Sequence, residues 1–98
     1  MPTYVLLIDW TQQGVESFAD TVDRYEAARG QFEAMGVNFK SIYWTLGNHD
    51  IVSVVEAPDG ETLAAATLKL ASQGNLRTTS LRALSAEEMR GVIAKATG

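Results

Sequence analysis

The stretch YVLLI at residues 4–8, extending to about Trp10, constrains this chain more than any other. A β-strand sends alternate side chains to opposite faces, so Tyr4, Leu6, Ile8 and Trp10 share one face while Val5 and Leu7 share the other. Neither face is polar. The run is too short for a helix and about half the length of a membrane span, so it reads as a strand that needs cover on both sides. IVSVVE repeats the pattern: Ile51, Ser53 and Val55 oppose Val52, Val54 and Glu56.

The other segments show how much cover one chain supplies. From Asp20 or Thr21, the residues Val22, Tyr25, Ala28 or Arg29, Phe32 and Met35 recur at helical spacing, and Gly36 stops the pattern. Strands are expected over about 37–46 and 50–57. Asp59 is placed to cap a helix, ETLAAATLKLAS, that turns Leu63, Ala66 and Leu70 to one side and ends near Gly74. NLRTTSLRAL reads as a fourth strand, and Ser85 with Glu88 has the capping-box spacing that starts a short terminal helix. TQQGVESFAD, after the first strand, has no clean period and reads as an irregular turn anchored by Val15 and Phe18.

The order β-α-β-β-α-β predicts an α+β, ferredoxin-like fold, an antiparallel four-stranded sheet with two helices on one face and a C-terminal helix. A chain of 98 residues has room for one such domain, spanning 1–98. Two helices cover one face only. The other would expose more apolar area than the roughly 300–600 Å² that monomers usually tolerate. Covering it contributes on the order of 10 kcal/mol gross, comparable with the ~4–15 kcal/mol lost on association. A homodimer or larger homo-oligomer is therefore expected, with a cavity between subunits; the alternative is that the terminal helix folds across the open face.

Charge and composition narrow the partners. The net charge is −4 and the eight basic residues are scattered, so a nucleic-acid partner is not expected. With no cysteine and one histidine, there is no disulfide, thiol nucleophile or thiolate metal site, and no metal or cofactor is predicted. MPTYVLLIDW lacks the basic start and cleavage site of a signal peptide, so the expectation is a cytoplasmic protein with no membrane partner.

TYVLLIDWTQQGV, AARGQFEAMG, YWTLGNHDIVSVVEAPD and GNLRTTSLRALSAEEM, which together span nearly the whole chain, resemble the GYD-domain proteins of the dimeric α/β-barrel superfamily. The family's Gly-x-Tyr-Asp corresponds to Gly47, Asn48, His49 and Asp50, with histidine in place of tyrosine. The same hairpin is similar to that in the ligand-binding domains of leucine-responsive-type regulators, whose dimers bind amino acids between subunits. The resemblance implies a dimeric α/β barrel, and related barrels include cofactor-independent monooxygenases and isomerases.

His49 is the weak catalytic candidate, since imidazole titrates near neutral pH and can act as a base; packing beside a turn is the simpler reading. Gly47 and Asp50 read as turn residues. Trp10 and Trp44 end predicted strands, where an indole can fill a cavity mouth and donate one hydrogen bond. Arg77 and Arg82, an odd number of residues apart in one strand, should face opposite ways, each able to clamp a carboxylate or pair with an acid such as Asp9 or Glu56. No nucleophile elbow or phosphate loop occurs. The expected function is a homo-oligomeric small-molecule-binding domain, regulatory in character, with a pocket drawn from Tyr4, Trp10, Trp44, His49, Arg77 and Arg82. The alternatives are a small cofactor-independent enzyme and an assembly module without ligand.

Overall fold

The computed structural model describes residues 1–98. Strands β1 (Thr3–Trp10), β2 (Asn38–Trp44), β3 (Ile51–Glu56) and β4 (Leu76–Ala83) form one antiparallel sheet in the order β2-β3-β1-β4. Helix α2 (Thr21–Ala34) joins β1 to β2, and α3 (Gly60–Ala71) joins β3 to β4. This is the α+β, ferredoxin-like arrangement.

Between β1 and α2 the chain is more regular than its sequence suggests. It forms a short helix, α1 (Gln12–Glu16), and a 3-10 turn, Phe18–Asp20. Thr11 caps α1, its hydroxyl accepting from the Gly14 amide at 3.1 Å. Gly14 is buried against the Asn75 backbone, where any Cβ would overlap the Asn75 carbonyl, so only glycine lets α1 dock there.

The core lies between the helices and one sheet face. Tyr4, Leu6, Ile8, Ile51 and Val55 from the sheet meet Ala28 and Phe32 of α2 and Leu63, Ala66 and Leu70 of α3. Val22, in the predicted stripe of α2, stays 51% exposed. Phe39 and Ile42 of β2 both pack against this core although they lie three positions apart, a spacing that ordinarily sends side chains to opposite faces. A register irregularity between Phe39 and Ser41 absorbs one extra residue, so that Phe39 faces Val55 and Ile42 faces Ser53. Ser53 is fully buried and satisfied, donating through Oγ to the Ser41 carbonyl at 2.7 Å.

The caps follow the sequence. Asp59 accepts the Thr62 amide at 2.7 Å, and that bond holds its carboxyl below the usual carboxylate range. Ser85 and Glu88 form a reciprocal capping box at the start of α4 (Ala86–Thr97). The Ser85 amide, and then Arg82 at 3.0 Å, hold the Glu88 carboxyl low.

The second sheet face has no cover. Val5, Leu7, Val52 and Val54 are half-buried, Leu81 is 46% exposed and Tyr43 66%. Helix α4 does not fold across it: no α4 residue is buried, and its apolar residues Met89, Val92 and Ile93 are all exposed. No helix is long and apolar enough to cross a membrane.

Candidate functional site

The open face is an apolar field with a polar margin at each end. Register places Val5 between Val54 and Leu81, and Leu7 between Val52 and Thr79, so these side chains share one surface. Tyr43, opposite Val52, extends it toward the β2 edge. At one end Lys40 pairs with Glu56 at 3.4 Å. At the other, Asp9 lies directly across from Arg77, and His49 Nδ1 approaches both Asp9 carboxylate oxygens, at 3.2 and 3.3 Å.

The β2–β3 connection holds His49 in that position. Gly47 takes a positive φ of 149°, and the Thr45 hydroxyl donates to the His49 carbonyl. The Thr45 amide donates to the Asp50 carbonyl at 2.9 Å, and the Asp50 amide to the Ile8 carbonyl at 3.1 Å. Asp50 does more than shape its own turn, because its Oδ2 accepts the Trp10 amide at 2.9 Å and ties the connection to the end of β1. Asp50→Ala therefore leaves the Trp10 amide without its partner and is expected to cost about 1–3 kcal/mol in urea denaturation. Asp50→Asn keeps an acceptor and should cost less; equal losses for the two would remove this role.

With Nδ1 turned to Asp9, the His49 ring has a fixed orientation and its Nε2 is left to meet another group. The pair is about two-fifths exposed, at 36% for His49 and 40% for Asp9. Arg77 stands opposite Asp9 in the register, at the edge strand β4, where it also borders a groove against Ala64, Thr67, Leu68 and Ala71 of α3. Together His49, Asp9 and Arg77 can hold an anionic or hydrogen-bonding group at the margin of the apolar field.

The other residues singled out in the sequence lie elsewhere. Tyr4 is buried on the helix-covered face, with the Arg82 guanidinium 5.8 Å from its ring centroid. Arg82 also bonds the Thr3 carbonyl and Glu88, so it fastens α4 to the sheet margin. Trp44 donates to the Thr21 hydroxyl at 3.0 Å and meets the Tyr25 ring edge-on. Trp10, of the same strand parity as Tyr4, has its indole N–H buried without an acceptor. One chain thus brings His49 to the open face, sets Arg77 on the edge strand opposite Asp9, and leaves Tyr4, Trp44 and Arg82 on the covered side. Asp9, read in the sequence as an arginine partner, is the histidine's partner instead. Only the register across three strands brings the two together, and sequence order gives no signal of it. No group of three or more His, Cys, Asp or Glu is placed to hold a metal ion.

These features define a ferredoxin-like α+β domain with one uncovered sheet face. The GYD domain model matches residues 4–93, and the chain belongs to the GYD-domain family. It is 38% identical over 85 residues to the glutamine synthetase and cystathionine beta-lyase binding protein of Thermus thermophilus, a match covering 86% of this chain and 90% of that one. No solved structure gives a significant match.

Proposed function

We propose that this chain is a protein-binding domain that works as a homodimer, with the open sheet face of one copy covering that of another. The observation that carries the dimer is the uncovered field of Val5, Leu7, Val52, Val54, Leu81 and Tyr43. A second copy suits it because the face is self-complementary in character. Its interior is largely aliphatic, Glu56 is paired with Lys40 within the chain, and Asp9, His49 and Arg77 stand at the margin, so two copies can meet without burying a charge in the middle of the field. Exposed apolar residues continue from Leu81 through Leu84 into Met89, Val92 and Ile93 of α4, offering the same partner a longer surface.

The relative's name supports the binding role, and the enzymes in it are the natural partners to test. Purified glutamine synthetase and cystathionine β-lyase, passed over the immobilised chain, should each bind saturably, with bovine serum albumin as the blank. Absence of saturable binding to both, at micromolar concentrations, would count against the protein-binding role while leaving the dimer untouched.

One observation favours a second reading, small-molecule binding between subunits. His49, Asp9 and Arg77 stand at the margin of the apolar field, where a partner copy would enclose them. In that reading His49 and Arg77 hold a ligand's polar end, and Tyr4, Trp10, Trp44 and Arg82 shape the chain from the covered side.

A further inference from the structure

A separate cavity of about 40 Å³ lies inside the chain, between the sheet, α2 and the end of α3, and none of the surfaces above includes it. Its walls are apolar, with Ile8, Ala28, Ile42, Ile51 and Leu70 among them. Its polar lining is Thr21, Arg24, Tyr25, Gln73 and Asn75, and Arg24 is the only charged residue. A water-sized group occupies roughly 10–15 Å³ on this measure, so the space takes about three such groups, the bulk of a branched alkyl end.

Arg24 makes the cavity more than a packing gap. Arg24 is half-buried, its guanidinium donating to Ser17 Oγ at 2.7 Å and to the Gly14 carbonyl at 3.1 Å. Both acceptors are neutral, and Arg24 takes part in none of the chain's ion pairs. A planar guanidinium held by two neutral acceptors and matched by no acid keeps further N–H groups that a carboxylate can accept from. No aspartate or glutamate lines the cavity, so an α-ammonium group would find only neutral acceptors there.

We infer that this cavity binds a short aliphatic carboxylic acid, its alkyl end against Ile8, Ile42 and Leu70 and its carboxylate on Arg24. The site discriminates against the corresponding amino acid and against neutral analogues of the same shape. It would give a protein-binding domain a metabolite input independent of the open sheet face.

The test is a methyl-resolved NMR titration of the full chain with sodium 3-methylbutanoate, alongside 3-methylbutanamide and leucine. Expected are saturable shifts of the Ile8, Ile42 and Leu70 methyls with the acid, and affinity about tenfold or more lower for the amide and for leucine. Arg24→Gln should weaken the acid by a similar factor, with Arg24→Lys retaining part of the affinity. If Arg24→Gln does not fold, the acid-versus-amide comparison on the parent chain decides. No saturable shifts with the acid, or equal binding of acid and amide, overturns the inference; so does equal binding of the acid by a folded Arg24→Gln.

Discussion

If the open faces pair as proposed, replacing Val54 by lysine is expected to leave a folded chain that does not pair with itself. Val54 is central to the open face, flanked across the strands by Val5 and Ser41. In the isolated chain, lysine can lay its alkyl stem along the sheet and hold its ammonium in water, so the fold loses little. Between two stacked sheets the same ammonium is shut away from water, and the nearest carboxylate on that face, Glu56 two residues along β3, is already paired with Lys40. A stranded charge of this kind costs several kcal/mol, about 3 or more, and two-fold symmetry places one on each copy. The dimer dissociation constant should therefore rise by about 100-fold or more. Size-exclusion chromatography with light scattering reads this directly, with circular dichroism confirming the fold. Val54→Lys associating as the parent does would mean that the sheet face is not the surface that pairs.

Phe32→Ala is expected to destabilise the chain by about 3–5 kcal/mol. Phe32 is 1% exposed, and its ring centroid lies 5.0 Å from that of Phe39 on β2. It is the largest fully buried side chain and fixes α2 to the sheet, so alanine leaves a hole that the flanking helix and strand cannot close. Against the ~5–15 kcal/mol total of a typical domain, that loss is a large share. Phe18→Ala is the control: Phe18 is 62% exposed and its loss should cost under about 1 kcal/mol. Urea denaturation at one fixed protein concentration makes the comparison, since the proposed pairing would make stability concentration-dependent. Similar midpoints for the two variants would contradict this picture of the core.

Much of the fold is legible in the sequence because local chemistry sets it. Asp59 and the Ser85–Glu88 pair mark the starts of α3 and α4, and Gly36 and Gly74, both at positive φ, follow the ends of α2 and α3. The alternation in Thr3–Trp10 and Ile51–Glu56 gives the two sheet faces directly, down to buried Ser53. Two features escape such reading. The irregularity at Phe39/Ser41 breaks the alternation of β2, and α1 depends on Gly14 meeting Asn75, residues distant in sequence. The candidate site is less legible still, because it depends on which strands become neighbours. The register sets Arg77 opposite Asp9 and Arg82 opposite Tyr4. His49 meets Asp9 only because β3 lies beside β1 in this sheet order. Arg24, on a helix otherwise read for its apolar stripe, carries no local sign that its charge is unmatched.

The pairing of open sheet faces is the claim on which the proposed function rests, and the mass of the unmodified chain in solution tests it most directly. Sedimentation equilibrium at micromolar concentrations should return a species of twice the 10.6 kDa chain mass, or a larger even multiple. A single folded species of 10.6 kDa across that range would contradict it.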